Sequence, residues 1–323
     1  MIILGIETSC DETALALLEV TDTTYRVIDS VIHSQIDLHK EFGGVFPMLA
    51  KREHEKKLPI LYKALLEKNP VTIDRVAVTF GPGLEPALWT GITFAKTLGL
   101  PIVPVNHMEG HIFGSLIDQE NHTLLPVEFP ALCLLISGGH TELVLMEKYG
   151  SYKIIGKTRD DAVGEAYDKV ARMLGVSYPG GPEISKRAQS QRDRNITPEI
   201  TLPRPMIYSK DLDFSFAGLK TAVLYALKER KEIAGLEREF EQAVTDVLVS
   251  KTREAIEQYS PQSLIIGGGV SANTYILENL KALGIPTYTP GKHLSGDNAV
   301  MIALAGAFGE VKTEIKAEGN LSL

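Results

Sequence analysis

The chain reads as an α/β protein made of two related halves. Three observations predict this. Apolar runs of strand length alternate with longer segments at helical spacing, the pattern of α/β layers. A hairpin signal opens each half, with turn residues at matching offsets. The 323 residues also exceed what one hydrophobic core usually supports.

The elements follow in order. Residues 2–7 form a short apolar strand, Thr8-Ser9-Cys10-Asp11-Glu12-Thr13 a polar turn, and residues 14–20 the returning strand. Residues 48–67 carry apolar positions at helical spacing, and residues 75–80 alternate like a strand. Gly81-Pro82-Gly83 is a loop, residues 87–98 a helix, and residues 102–105 a strand. The second half repeats the opening hairpin. Residues 131–136 are apolar, Ser137-Gly138-Gly139-His140-Thr141 is small and polar, and residues 143–146 are apolar again. Residues 162–174 and 240–259 read as helices, and 264–266 as a short buried strand. Three glycines follow that strand, then a helix from about Ser271. Residues 189–205 are polar and Pro-bearing, so they predict a surface loop; residues 316–323 predict a frayed end.

Composition narrows the class. Hydrophobic residues make up 44% and charged residues 23%, a soluble globular balance. No apolar run is long enough to cross a bilayer. The start meets Glu7 at once and has no basic region, so it makes a poor signal peptide. Two cysteines argue against a disulfide framework and for a reducing compartment, which points to the cytoplasm. A net charge of −8 counts against an extensive phosphate-binding surface. Two basic clusters stand out, Lys51, Arg52, Lys56 and Lys57, and Lys186, Arg187, Arg192 and Arg194. Each reads as a local patch or as a solvated helix face.

His107-Met108-Glu109-Gly110-His111 is the most informative fragment. Residues four apart on a helix share a face, and two neutral imidazoles there can grip one metal ion. The carboxylate of Asp297, in Ser295-Gly296-Asp297-Asn298, is the candidate third ligand. Two His and one carboxylate leave coordination positions open, which suits a metal that handles substrate. The alternative is a stray His pair on a solvated face.

Other segments offer backbone to a ligand. Gly267-Gly268-Gly269 joins a buried strand to a helix start, where glycines permit close approach and N–H groups lack partners; Asn273 can hydrogen-bond a base or sugar. Ser137-Gly138-Gly139 can aim successive amides at one anion, or form a plain turn. Tyr178-Pro179-Gly180-Gly181-Pro182 is a loop where backbone can meet a flat ligand. Asp160 and Asp161 sit where acids satisfy a helix macrodipole. Asp168 lies deeper, where a ribose-hydroxyl contact fits better.

Together these describe a nucleotide held between two halves with a metal nearby. Gly5-Ile6-Glu7-Thr8-Ser9-Cys10-Asp11-Glu12-Thr13, the His107–His111 fragment, Ser137-Gly138-Gly139-His140-Thr141 and Gly164-Glu165-Ala166-Tyr167-Asp168-Lys169 resemble the tRNA threonylcarbamoyltransferase family, the TsaD proteins. So do Tyr178-Pro179-Gly180-Gly181-Pro182, Phe214-Ser215-Phe216-Ala217-Gly218-Leu219-Lys220, Gly268-Gly269-Val270-Ser271-Ala272-Asn273 and Gly296-Asp297-Asn298. The matches run in the family's order from residue 5 to about 306, and the His-Met-Glu-Gly-His form resembles the bacterial and organellar branch.

The resemblance implies the two-lobed fold of actin, Hsp70 and sugar kinases, with a central interlobe cleft. The lobes would be residues 1–126 plus 297–323, and residues 127–296. It implies that His107, His111 and Asp297 bind one divalent ion, iron or zinc. It further implies that Leu135, Ile136, Ser137, Gly138, Gly139, Asp168, Gly181 and Asn273 bind the substrate nucleotide. Two positions depart from the family. Ser185 stands where many members carry Asp, and Met48 replaces an acid in the Pro-Glu-Leu-Ala segment.

The implied reaction moves threonylcarbamoyl from its AMP adduct to N6 of adenosine 37 in tRNAs reading ANN codons. Asp11 and Glu12 are the candidates for accepting the amine's proton; turn-forming acids are the alternative. Implied partners are tRNA, a paralogous TsaB-like scaffold subunit and a small TsaE-like ATPase. Two rival enzymes stand against this reading, beside a non-catalytic scaffold paralogue, which would lack the His pair that this chain retains. Zinc peptidases need Glu at the second or fourth position of the His pair. Glu109 is third, roughly 200° around the helix from His107. Phosphotransferases of this fold place an Asp and a Gly in the first hairpin turn, and residues 7–13 contain no Gly.

Overall fold

The computed structural model describes residues 1–21, 24–118, 120–291 and 293–323. The chain forms two compact units, Met1–Pro126 with Pro290–Leu323, and Val127–Thr289. The second break therefore lies at 289/290, ahead of the expected 296/297.

In the first unit β1 (Ile2–Glu7), β2 (Glu12–Val20) and β3 (Tyr25–Ser34) form an antiparallel meander. Then come α1 (Ile36–His39), α2 (Pro47–Lys68), β4 (Arg75–Gly81), α3 (Glu85–Thr97), β5 (Ile102–Asn106), α4 (His107–Gly114) and a ribbon of β6 (Ile117–Asp118) and β7 (Thr123–Leu124). β4 and β5 add to β1 in parallel, giving the order β3-β2-β1-β4-β5.

The second unit begins with β8 (Ala131–Ile136), β9 (Thr141–Lys148) and β10 (Ser151–Lys157). Helices α5 (Val163–Met173), α6 (Gly181–Asp193), α7 (Ala217–Glu229) and α8 (Leu236–Tyr259) follow. β11 (Ser263–Gly267), a 3₁₀ turn at Gly269–Ala272, α9 (Thr274–Lys281) and β12 (Thr287–Tyr288) complete it. Its sheet order, β10-β9-β8-β11-β12, has the same strand directions as the first sheet. The repeated hairpin thus marks two units of one topology. The chain then returns to the first unit as α10 (Ala299–Phe308).

Strand alternation decides what faces the site. In β1 and β4, Leu4, Ile6, Val76 and Val78 pack with Leu58 and Leu65 of α2 and with Ile92 of α3. The other face meets α10 closely enough that only small residues fit. A Cβ on Gly5 would fall 2.1 Å from Ala299 O, and one on Gly306 would fall 2.3 Å from Ala77 Cβ. Glu7 and Thr79 lie on this α10 face by the same alternation.

Three expectations need correction. Residues 189–193 are the end of α6, where apolar contact from Ile184 and Ala188 holds a polar helix down. The helix expected from Ser271 starts at Thr274, because Asn273 caps it and a 3₁₀ turn precedes it. The C-terminal residues are packed, not frayed. Ile315 is buried, Glu318 N–H donates to Phe80 O at 2.8 Å, and Gly83 N–H donates to Gly319 O at 3.1 Å.

Candidate active site

In the first unit the chemistry gathers at the carboxyl ends of three adjacent parallel strands, the usual ligand end of such sheets. Glu7 ends β1, Thr79 lies near the end of β4, and His107 directly follows β5. Asn106 fixes the last of these. Its Oδ1 caps α4 by accepting from the Met108 amide at 2.8 Å, so the helix begins at the strand's end and carries both imidazoles inward. Gly110 lets α4 approach α10; a Cβ there would fall 2.8 Å from Ile302 Cδ1. On α10, Asn298 caps the Met301 amide at 3.0 Å and its Nδ2 donates to Gly296 O at 2.9 Å, which sets the Asp297 backbone.

His107, His111 and Asp297 converge, with one ligand atom from each within 4.8 Å of the others. Asp297 Oδ1 lies 3.4 Å from His107 Nε2 and 3.3 Å from His111 Nε2. Ligands on ~2.1 Å bonds around a tetrahedral zinc stand about 3.4 Å apart, so these spacings fit a bound ion. His111 Nε2 is buried without a hydrogen-bond partner among the described residues, which a metal bond would satisfy. Electrostatics agree. Burial opposes charge on His107, but Asp297 and Glu7 outweigh it and push the imidazole well above its ordinary value. Burial would raise Asp297, yet His107 and His111 hold it below the usual carboxylate range. Both directions reflect the negative charge of Asp297 and Glu7 around His107.

Glu7 reads in the sequence only as the end of the first strand, yet it is the carboxylate behind His107. Its Oε2 lies 3.0 Å from His107 Nδ1 and accepts from Thr79 Oγ1 at 2.6 Å. An acid ending the apolar run Ile2–Glu7 was the available signal.

Asp11 lies in the β1–β2 turn and Glu12 opens β2. Burial, then the charges of Asp297 and Asp11, push the Glu12 carboxyl up to about 10. At that value it holds its proton at neutral pH. Asp11 is buried, and its Oδ2 has no hydrogen-bond partner among the described residues.

The eight expected substrate residues all belong to the second unit. Leu135 and Ile136 end β8 and are fully buried. Ser137 O accepts from Gly164 N–H at 3.1 Å, joining the β8–β9 turn to α5. The Gly139 amide donates to Ser137 Oγ at 3.3 Å, within the turn. Gly138 and Gly139 are exposed. Asp168 Oδ1 accepts from Gly180 N–H at 2.7 Å, which holds Gly181 and the start of α6 beside α5. Gly268 has φ +91° and lies so near β8 that a Cβ would fall 2.4 Å from Ile136 O.

Asn273 is more occupied than expected. Its Oδ1 caps α9, accepting from the Ile276 amide at 3.1 Å, and its Nδ2 donates to Glu241 Oε1 at 2.7 Å. Glu241 is fully buried and also pairs with Arg192 Nη1 at 2.5 Å. Neither Glu241 nor its pairing was legible in sequence, because the partners lie on three different helices or turns.

Among the described residues, four of the eight in the basic clusters form ion pairs, including Arg192 with Glu241. Lys51 meets Glu55, Lys56 meets Glu53, and Arg187 meets Glu183 and Glu237. Asp161 pairs with Lys169 and Lys220, while Asp160 Oδ1 accepts from the Phe216 and Ala217 amides at the start of α7. No described helix is long and apolar enough to cross a membrane.

Solved structures share this architecture. Full-length HypF in its phosphate- and nucleotide-bound form superposes with TM-score 0.58 at 14% identity, over 94% of this chain and 46% of its own. The (R)-2-hydroxyglutaryl-CoA dehydratase component A of Acidaminococcus fermentans gives 0.54 at 12% identity, over 95% of this chain and 96% of its own. A ROK family protein from Streptococcus pneumoniae gives 0.52 at 11% identity, over 95% and 98%. Such likeness shows the fold alone, and the fold is the two-lobed actin-like and sugar-kinase-like α/β type. Sequence relatives are nearer. Chains named tRNA N6-adenosine threonylcarbamoyltransferase from Thermosipho melanesiensis and Persephonella marina are each 45% identical, over 95% of this chain and 94% and 89% of theirs. The profile of the TsaD family, tRNA N6-adenosine threonylcarbamoyltransferase, matches residues 26–304. This chain belongs to that family of tRNA-modifying transferases.

Proposed function

We propose that the protein transfers the threonylcarbamoyl group from threonylcarbamoyl-AMP to N6 of adenosine 37 in tRNAs reading ANN codons. The observation that carries this is the His107–His111–Asp297 cluster in a chain whose relatives bear that activity's name. Family membership also sets aside the peptidase and phosphotransferase readings.

The family implies a metal ion, and His107, His111 and Asp297 would hold it. We assign iron or zinc, which suit imidazole and carboxylate ligands. Once bound, the ion supplies positive charge to oxygens that gain negative charge during transfer.

The chain's own residues carry the remaining steps. The carbonyl is already activated, since AMP is a good leaving group. N6 forms the new C–N bond, the C–O bond to phosphate breaks, and AMP departs with the electron pair. N6 must lose a proton, and Asp11 Oδ2 takes it, being a buried acceptor without a donor among the described residues. Glu12, which keeps its proton, limits the negative charge of the turn. In the second unit, backbone at Leu135, Ile136, Ser137, Gly138 and Gly139 and the groups at Asp168, Gly181 and Asn273 position the adenylate. Partners are the tRNA, a TsaB-like paralogue and a TsaE-like ATPase. With a net charge of −8, the chain leaves part of the tRNA grip to them, in the cytoplasm.

The test is mass spectrometry of nucleosides from tRNA incubated with the protein and threonylcarbamoyl-AMP, with and without partners. Threonylcarbamoyladenosine should form, and His111→Ala or chelation should abolish it. No modified adenosine under any combination, or full turnover by metal-stripped protein, would overturn the reading.

A further inference from the structure

Glu7 takes no part in the transfer derived above, yet it is buried completely at the end of an apolar strand. Burying a carboxylate is costly unless several donors surround it. Here three converge. Thr79 Oγ1 donates to Oε2 at 2.6 Å, the Ser9 amide donates to Oε1 at 2.5 Å, and His107 Nδ1 lies 3.0 Å from Oε2. Ser9 Oγ is also 3.2 Å from the same imidazole nitrogen.

An ionised carboxylate only accepts hydrogen bonds, so a hydrogen bond between Glu7 and His107 would carry its proton on Nδ1. A neutral imidazole protonated at Nδ1 has its lone pair at Nε2. Nε2 is the atom 3.4 Å from Asp297 Oδ1. We propose that Glu7 is a positioning residue: it fixes the Nδ1–H tautomer and ring orientation of His107, so that Nε2 is presented to a divalent cation as a ligand. This rests on the metal reading above and adds a carboxylate behind the ligand set.

Position and chemistry both restrict the residue. The register that pairs Leu4 with Val76 and Ile6 with Val78 brings the end of β1 beside Thr79, and the β4–β5 pairing brings His107 next. A Gln at this position keeps one carbonyl oxygen and turns its NH₂ toward a donor. One of the three bonds is then lost, and either tautomer of His107 becomes available.

The test uses the full chain stripped of metal. Zinc is titrated in competition with a chromophoric chelator, for wild type, Glu7→Gln and Thr79→Val. Glu7→Gln should weaken zinc binding about 10- to 100-fold. Thr79→Val, which removes one bond to the same oxygen, should weaken it by a smaller factor. In the zinc-loaded wild type, nitrogen-15 NMR should show the His107 proton on Nδ1. Cooperative melting of each variant without metal reports folding.

A folded Glu7→Gln variant with wild-type zinc affinity would remove Glu7's role and leave the metal centre standing. A wild-type protein that takes up no zinc or iron would remove the centre and this role together. Should Glu7→Gln fail to fold, the wild-type NMR decides: a proton on Nε2 overturns the proposal, and one on Nδ1 supports it.

Discussion

Glu12 stands next to Asp11, and its surroundings set its protonation. Glu12 faces burial and the charges of Asp297 and Asp11, which lift it to about 10 from an ordinary 4.5. The sign follows from linkage. The folded state holds this proton more tightly than the unfolded chain does. Glu12's contribution to stability is thus full below about pH 4.5 and is lost as pH rises toward 10. Glu12→Gln should remove that slope. Its melting temperature relative to wild type, measured without added metal, should rise from mildly acidic to alkaline pH; parallel curves would refute the assignment. In the transfer assay the same variant should keep most of its rate, while Asp11→Asn should lose about 10²- to 10⁴-fold in kcat. Sequence placed Glu12 beside a turn but could not show this shift, because burial and the charge of Asp297, far away in the chain, produce it.

Among elements, α4 and α10 decide whether the ligands meet. Both are short, and each starts at an Asn cap beside its ligands. Residues 102–105 were legible as a strand, and the His pair was legible on the helix after it. The helix α10 was not, since Ala299–Phe308 is apolar throughout and offers no periodic face. β3 and β10 were also missed; both lie at sheet edges, where partly exposed side chains weaken the apolar signal. In the second unit, α8 supplies Glu241 to Arg192 of α6 and to Asn273 at the cap of α9. Glu241→Ala would strand Arg192 largely buried and free the Asn273 amide. It should cost about 3–5 kcal/mol, the usual effect of breaking a buried pair, read as a lower denaturation midpoint. It should also raise KM for threonylcarbamoyl-AMP. A loss under about 1 kcal/mol would show that the pair is not buried in solution.

At the scale of the molecule, two units repeat one sheet order, and the chain closes the first unit only after finishing the second. Its last residues therefore have structural weight. Ile315 joins the core of the first unit, and Ser322 O accepts from Asn106 Nδ2 at 3.2 Å, beside the cap that orients His107. Deleting residues 315–323 should destabilise the protein by at least about 2 kcal/mol, the burial of one large aliphatic side chain. A melting temperature within error of the full chain's would contradict that packing. By itself, the sequence determined the layered α/β class, the paired halves, the His107–His111 spacing and, through eight ordered motifs, the family. Those are local patterns, and backbone periodicity and ligand chemistry suffice to read them. Only tertiary structure decided that Asp297 meets both imidazoles, that Glu7 backs His107, that Glu241 claims Asn273 and that Glu12 keeps its proton. Each depends on groups remote in the chain sharing a buried, low-dielectric space, and no spacing along one dimension records that proximity.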